Sequence, residues 1–200
     1  LKHSNIVSFK IEGRMKSPEY VYFVTHIYRK LLDQENYQLT EEEIFQLKSL
    51  YNRGFTKGFL FHESDRDWIS LSSSNHQGVK IGEVIEVNPK KIKIKLMHDL
   101  YQEDGIRFPN QKGMMVNFLY DKNMLLVNHA KKGSIIYVDN KVKLKETGDV
   151  FLTTNKSLIE QIKNMPNPSL FIECKVKALC GQPLVVSYQH KNIIVRKECE

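Results

Sequence analysis

Cysteine is scarce in this 200-residue chain, which contains only Cys174, Cys180 and Cys199. Their number is odd and no two have CxxC spacing, so the sequence indicates neither a disulfide framework nor a zinc ribbon. The seven histidines include no HExxH and no H-x3-H pairing, so neither a metal site nor a cofactor is predicted here. His98 and Asp99 are neighbours, but adjacent residues of a strand point to opposite faces, which makes them a poor catalytic dyad.

Long apolar runs are also absent. No stretch reaches 18 apolar residues, which argues against a transmembrane helix and a membrane partner. A glycine-rich phosphate loop and a GxSxG nucleophile motif are missing, so two common kinds of enzyme site are not indicated. The chain begins at Leu1 without a basic and then apolar leader, so we expect no signal peptide and a cytoplasmic protein.

Positive charge is in excess, and the excess is localised. The formal net charge is +7, from 30 Lys and Arg against 23 Asp and Glu. Residues 80–145 carry 13 basic and seven acidic side chains, whereas residues 1–79 carry ten of each. A cationic middle segment in an otherwise ordinary globular composition is expected to meet an anionic partner.

The N-terminal third predicts two helices. Ser17 and Pro18 are the preferred residues for an N-cap and a first helical position, and apolar residues follow at helical spacing to about Gln34. Thr40–Glu43 forms a capping box for a second helix that continues to Leu50 and Tyr51. The carboxylates of this box suit the positive end of a helix dipole better than a metal site.

The segment before the first helix alternates apolar and charged residues from Phe9 to Glu12, which predicts a short strand. Inward-facing Lys10 and Glu12 would be tolerated only where water or a ligand reaches them. A charged strand that leads into a helix is how a TIM barrel presents active-site residues at its C-terminal rim. A solvated edge strand with an ordinary Lys–Glu pair is the alternative, and the pattern alone favours it.

From Gly78 onward the period of the apolar pattern changes to two. Further short strands are predicted after the hairpin Val79–Val87 and Lys91–Leu96, at residues 106–108, 113–120, 124–129, 134–138 and 151–153. Strands at this spacing predict a closed β-barrel, similar to the second domain of elongation factor Tu. Ser157–Asn164 predicts a short helix, and strands at 170–179 and 184–195 open a further β-module, so the fold class is α+β.

Two lysine ladders mark the predicted barrel. Each alternates with apolar residues, which places the lysines on one face: Lys91, Lys93, Lys95, Lys141, Lys143 and Lys145. Such a face can contact the phosphates of RNA, or an anionic protein surface, without reading sequence. It can equally protect an exposed strand edge from pairing with other molecules, and the pattern leaves both interpretations open.

The loop from Arg53 to Trp68 interleaves aromatic and basic residues, among them Lys57. Aromatic rings between cations can stack on bases and neutralise phosphates, which makes Arg53 and Lys57 candidate RNA-binding residues. The same residues can instead cover the seam between a barrel and its neighbour, which the composition favours modestly.

Several segments resemble one protein family. Phe9–Ser17 (FKIEGRMKS), with Tyr20-Val21 and Tyr28-Arg29, resembles the signature of peptidase family U32, the collagenase-like PrtC type, and Asn52–Leu60 resembles its second hallmark. The small β-barrel that follows in this family resembles two segments here, Gly78–Val84 and Asp104–Phe108. The long family members with extra C-terminal modules resemble this chain at Gly148–Val150 and Gly181–Leu184. Glu103 stands where the family usually has glycine, which should alter a turn rather than a chemical site.

The resemblance implies that the chain is the C-terminal portion of an enzyme whose catalytic barrel precedes it. The implied regions are the end of the barrel region at 1–69, a linker at 70–77, the basic β-barrel at 78–155 and a helix with the start of a further module at 156–200. This portion alone is expected to be inactive. Lys10, Glu12 and Arg14 would lie at the barrel rim and bind an anionic group or orient a substrate, with Glu12 as acid, base or ion-pair partner.

The sequence leaves three functions open. The family resemblance implies a peptidase portion whose β-barrel binds substrate or RNA. Other relatives resemble hydroxylases of RNA bases, which would make this chain part of a tRNA-modifying enzyme, with an iron–sulfur cluster in the preceding barrel. The third interpretation is a purely structural clamp between domains.

Overall fold

The computed structural model describes residues 7–8, 10–55, 76–166 and 169–199, and the statements below refer to these residues. The chain forms two compact units, which divide between Asn164 and Met165. Helices and antiparallel sheets both occur, so the predicted α+β class is confirmed.

Two helices begin where the capping signals predicted. Helix α1 spans Pro18–Asp33, and the Ser17 hydroxyl accepts a hydrogen bond from the Tyr20 amide at 3.2 Å. Helix α2 spans Glu41–Leu50 and begins with the complete capping box of Thr40 and Glu43. A third helix, α3, spans Lys156–Lys163 with Asn155 as its N-cap.

Ten strands follow α2 in the first unit. They are β1 (Val79–Val87), β2 (Lys91–Leu96), β3 (Leu100–Tyr101), β4 (Gly105–Arg107), β5 (Gly113–Met115), β6 (Leu119–Tyr120), β7 (Leu126–Val127), β8 (His129–Ala130), β9 (Ile135–Asp139) and β10 (Gly148–Thr154). Eight form one antiparallel sheet in the order β5-β4-β10-β1-β2-β9-β6-β7, and β3 pairs with β8 separately. The sheet curls around a core whose inward side chains include Ile81, Ile92 and Ile94, all fully buried. The predicted hairpin of β1 and β2 is confirmed to the residue.

Two irregularities in β1 accompany this curl. The register shifts between Lys80 and Gly82 against β10, and between Val84 and Glu86 against β2. Such bulges bend a strand and increase its local twist. A Cβ atom at Gly82 would lie 2.5 Å from the Lys95 carbonyl oxygen, so only glycine allows the backbones to approach this closely.

Some strands differ from the prediction. Residues 10–13 form no strand, and Phe9 lies outside the described residues. The lysine-rich segment 141–145 is a loop, although Val142 and Leu144 are buried as the alternation predicted. The side chain of Asn140 bonds both the amide and the carbonyl of Leu144, and Lys143 has a left-handed φ of 54°, which takes this segment out of the sheet.

Helix α3 packs against α1, where Phe23 and Ile27 meet Leu158 and Ile162 in a second buried cluster. The contacts therefore place α3 in the first unit, whereas its position in the sequence had suggested the last module.

The second unit contains β11 (Glu173–Lys177), β12 (Leu184–His190) and β13 (Ile193–Cys199), an antiparallel meander. The predicted strand at 184–195 is thus two strands, because Lys191 takes a left-handed φ of 50° in the turn between them. Cys174 and Cys180 are exposed free thiols.

Candidate nucleic-acid interface

The outer face of β2 carries Lys91 and Lys93 in a mixed environment of acids and tyrosines. The Nζ of Lys91 lies 2.7 Å from Asp139 Oδ1 and 3.3 Å from the centre of the Tyr120 ring. Lys93 Nζ lies 3.2 Å from Glu86 Oε2. The two acids come from the strands that flank β2, Glu86 from β1 and Asp139 from β9, so the alternation of β2 and the pairing register together create these ion pairs. Tyr120 reaches Lys91 from β6, the strand beyond β9.

These contacts stabilise the charged form of both lysines. Burial lowers the pKa of Lys91, but hydrogen bonds to Asp139 and Tyr120 outweigh it and raise the pKa. The pKa of Lys93 is raised chiefly by its hydrogen bond to Glu86. Both ammonium groups are therefore partly neutralised by neighbours, and this part of the ladder is a mosaic of charge and aromatic rings rather than a bare cationic strip.

Lys95 differs from its two neighbours in the ladder. It is exposed and makes no ion pair with a described residue. Its cross-strand neighbour Glu83 instead lies 2.8 Å from Lys80 Nζ, which also contacts Asp149. Lys95 consequently offers an uncompensated positive charge to solvent.

Lys131 and Lys132 extend this charge beyond the end of β2. Both are exposed, and neither makes an ion pair in the described part of the chain. Their turn is held against β2 by the Gly133 amide, which donates to the Leu96 carbonyl at 2.9 Å. The side chains missed by the sequence pattern thus lie beside the free end of the ladder.

The other predicted ladder lies at the opposite end of β2. Lys141, Lys143 and Lys145 are exposed and have no acidic partner among the described residues. Their loop is fixed to the β1–β2 turn, because Asn140 donates through its amide to Lys90 O and through its side chain to Asn88 O, both at 2.9 Å. The six predicted lysines therefore occupy two neighbouring places, the outer face of β2 and this loop, rather than one continuous row.

The candidate rim residues lie on the surface. Lys10 Nζ and Glu12 Oε1 are 2.9 Å apart, and their side chains are 86% and 71% exposed. Arg14 and Arg53 are exposed as well, and the Arg53 guanidinium lies 5.7 Å from the Tyr51 ring centre. Lys57 lies outside the described residues. None of these side chains lines the cavities described below, and the roles assigned to them stay predictions.

A cluster that the sequence did not reveal surrounds the β3–β8 ladder. Tyr101 and His129 face each other across it, with ring centroids 4.3 Å apart and planes 16° from parallel. Asp99 Oδ2 lies 3.0 Å from His129 Nε2, and Asp99 Oδ1 accepts the Lys132 amide at 2.8 Å. That amide is the main cause of the lowered pKa of Asp99. Asp99 therefore pairs with a histidine thirty positions away, not with its neighbour.

His98 has a different environment. Its ring stacks on Phe45 of α2 at 4.3 Å, and burial is the main reason why its pKa is lowered. The sequence neighbours His98 and Asp99 thus point to different partners, as expected for adjacent residues.

Asp104 is the buried carboxylate of this region and is only 1% exposed. It accepts the Tyr101 amide at 2.8 Å and the Lys156 amide at 2.9 Å, so it ties the β3–β4 turn to the start of α3. Burial raises its pKa to about 6, although both hydrogen bonds act in the opposite direction. The preceding residue, Glu103, has a left-handed φ of 69°, a conformation that glycine adopts without steric cost.

Two cavities adjoin this cluster. The larger, of about 530 Å³, lies between α2, the 98–104 segment and α3; the smaller, of about 360 Å³, lies between the 101–103 segment and the start of α3. Tyr101 lines both of them. In the described part of the chain no group of three or more His, Cys, Asp or Glu is arranged to hold a metal ion, and no helix there is both long and apolar enough to cross a bilayer.

Comparison with known proteins indicates the family of the chain. The model of peptidase family U32 matches residues 1–70. An uncharacterized protease of Methanocaldococcus jannaschii is 30% identical over 161 residues, which are 72% of this chain and 39% of that protein. A collagenase of Porphyromonas gingivalis is 32% identical over 85 residues, 39% of this chain and 20% of the collagenase.

A third relative is named for tRNA hydroxylation. A tRNA hydroxylation protein P of Helicobacter pylori is 37% identical over 79 residues, 38% of this chain and 18% of that protein. The chain thus spans less than two fifths of the length of each of these relatives. From the match at its N-terminal end and its similarity to these proteins, the chain belongs to peptidase family U32.

Proposed function

We propose that the curled sheet is an RNA-binding accessory domain of a U32-family enzyme. The observation that carries this proposal is the set of exposed lysines without acidic partners among the described residues at both ends of β2: Lys95, Lys141, Lys143 and Lys145. A stabilising role would favour neighbouring acids, as Lys91 and Lys93 have, because like charges that lie close together repel. Uncompensated cations around tyrosines suit a flexible polyanion.

RNA is favoured over an anionic protein for two reasons. Tyr120 and Tyr137 lie opposite each other on the same face as the ladder lysines, and aromatic rings between cations are typical of surfaces that bind single strands. One relative is also named for tRNA hydroxylation. The resemblance of the sheet to the barrel of elongation factor Tu is part of this proposal, and an experimental structure would test it.

The experiment is a binding titration of the whole chain against tRNA at low salt. In the test variant Lys95, Lys141, Lys143 and Lys145 become Gln; in the control Lys175, Lys177, Lys191 and Lys197 of the second unit become Gln. Both variants remove the same charge. We expect the test variant to lose about tenfold or more in affinity, whereas the control loses little. Equal losses of affinity in both variants would mean that only net charge matters. If the unmodified chain did not bind tRNA, the structural clamp between domains would be the remaining interpretation.

A peptidase role for the whole enzyme is the second candidate, favoured by the family match and by the collagenase relative. Under this proposal the exposed Lys10–Glu12 pair, with Arg14, contacts substrate at the rim of the catalytic barrel. Glu12→Gln in the whole enzyme should then abolish turnover while the fold survives, and Glu35→Gln, another exposed acid, should not. Normal turnover of the Glu12 variant would remove this role.

The tRNA-base hydroxylase is the alternative within the same family. It shares the RNA-binding domain, and an iron–sulfur cluster in the catalytic barrel of the whole enzyme belongs to this proposal. Mass spectrometry of tRNA incubated with the whole enzyme separates it from a peptidase, since only the hydroxylase adds an oxygen atom to a base.

A further inference from the structure

The ring of Tyr101 is stacked on one face. His129 stacks against that face at 4.3 Å, and no second ring or cation of the described residues lies against Tyr101. The tyrosine nevertheless remains 36% exposed, and it lines both cavities of the region. An aromatic ring that is stacked on one side and partly exposed beside a cavity is the form that stacking platforms for bases take.

The support behind the ring is built from several hydrogen bonds. Asp99 holds the His129 ring through Nε2, and the Lys132 amide in turn holds Asp99. Asp104 accepts the Tyr101 amide and so fixes the backbone of the same residue. Because each of these groups is already positioned, a ligand stacked on Tyr101 would order few side chains when it binds.

The larger cavity has an acidic lining that indicates which part of a nucleotide would enter. Carboxylates dominate there, because Glu41, Glu42 and Asp99 are exposed and Lys132 is the single cation of the lining. Asp104 also lies against this cavity, but it is buried and bonded to two backbone amides. A phosphate would be repelled by this lining. A base with an exocyclic amino group would instead donate hydrogen bonds to it, as cytosine N4 does to Glu and Asp. Phosphates would remain outside, near the exposed Lys131, which is not part of the lining.

We propose that Tyr101 is a stacking site for an unpaired, amino-bearing nucleobase of bound RNA, with the adjoining 530 Å³ cavity receiving its amino edge. This inference rests on the RNA-binding function proposed above and specifies where one base is recognised. It assigns Tyr101 a direct contact with the base, and it makes Asp99 and His129 positioning residues that hold the ring.

The test compares oligo(C), oligo(U) and an abasic oligomer of equal length, by fluorescence anisotropy of the whole chain. Oligo(C) should bind more tightly than oligo(U), since uracil offers a carbonyl where cytosine offers an amino group. Tyr101→Ala should weaken oligo(C) binding by roughly five- to a hundredfold, the range of one stacked base. Tyr101→Phe retains the ring and should bind nearly as the wild type, and the abasic oligomer should not distinguish the variants.

Two measurements keep the proposal falsifiable. Tyr188→Ala, an exposed tyrosine of the second unit, is the matched control and should change nothing. Should Tyr101→Ala fail to fold, upfield ring-current shifts of the cytosine protons on the wild-type protein would show the stack directly. Wild-type affinity in Tyr101→Ala, or equal affinity for oligo(C) and oligo(U), overturns the stacking site. If the lysine variant still loses tRNA affinity, the proposed function stands without it.

Discussion

Glu103 shows how a single residue can be unfavourable at its own position. It takes a left-handed φ of 69° just before Asp104, and a side chain in that conformation is strained. Glu103→Gly should therefore raise the free energy of unfolding, by about 0.5–1 kcal/mol after the loss of the surface contact with Lys156. Urea denaturation measures this change in the free energy of unfolding.

Glu146→Gly is the control for that substitution. Glu146 is also an exposed acid, but it does not have a positive φ. Glycine should therefore destabilise the protein there or leave it unchanged, because the unfolded chain gains freedom. A loss of stability at position 103 as well would contradict the explanation by backbone strain.

Asp104 predicts a pH dependence of stability. Its pKa in the folded protein, about 6, lies above the ordinary value, so its contribution is fully present below about pH 3.8 and is lost as the pH rises through about 6. The stability of the wild type relative to Asp104→Asn should fall over this range, by up to about 3 kcal/mol. Denaturation at a series of pH values checks this.

Asp99 provides the control of opposite sign. Its pKa is lowered, chiefly by the Lys132 amide, so its contribution is present above the ordinary pKa of aspartate and is lost as the pH falls. The wild type should therefore gain stability relative to Asp99→Asn as the pH rises. If both differences moved in the same direction, the assigned environments would be wrong.

Glu103 and Asp99 show what the sequence could reveal about single residues. The special position of Glu103 was visible because the family usually has glycine there, and glycine is the residue that a left-handed φ favours. The pairing of Asp99 with His129 left none, because it depends on two strands of two residues each.

At the scale of elements, the start of α2 has the strongest local signal. Glu43 bonds back to the Thr40 amide at 2.9 Å and also accepts from Lys30 and Tyr37 at 2.8 Å. Burial raises its pKa, but these hydrogen bonds prevail and lower it to about 2. The contribution of Glu43 should be present above about pH 4.5 and be lost as the pH falls through about 2.

Removal of the cap gives a direct measurement. Thr40→Ala should lower the free energy of unfolding by about 1 kcal/mol, because the Glu43 amide loses its acceptor. Thr25→Ala, at an exposed position inside α1, should be neutral or slightly stabilising, since alanine favours helix. Thermal unfolding followed by circular dichroism would show the difference, and equal effects of both changes would rule out the capping role.

Element prediction succeeded where the signal was local. The bounds of α1, α2, β1 and β2 follow from caps and from strict alternation. It failed where distant groups decide: Asn140 turns an alternating segment into a loop, and β3 and β8 exist only because they pair with each other. The packing of α3 on α1 joins residues more than 120 positions apart. The residue pattern of neither helix indicates this contact.

In the whole molecule, the excess of positive charge lies on the middle segment, as the sequence indicated. The sequence did not indicate which of the lysines there have acidic partners. The structure divides these lysines into partnered ones, Lys91 and Lys93, and free ones at both ends of β2. The distinction depends on Asp139 and Glu86, which reach β2 only through the sheet register.

The salt dependence of tRNA binding by the whole chain tests the central claim most directly. If the free lysines contact phosphates, the logarithm of the association constant should fall linearly with the logarithm of the salt concentration. A slope of about −3 to −4 is expected between about 50 and 200 mM salt, the value for four to six contacts at the single-strand scale. A slope near zero, or no binding at the lowest salt, would contradict an RNA-binding role for this domain.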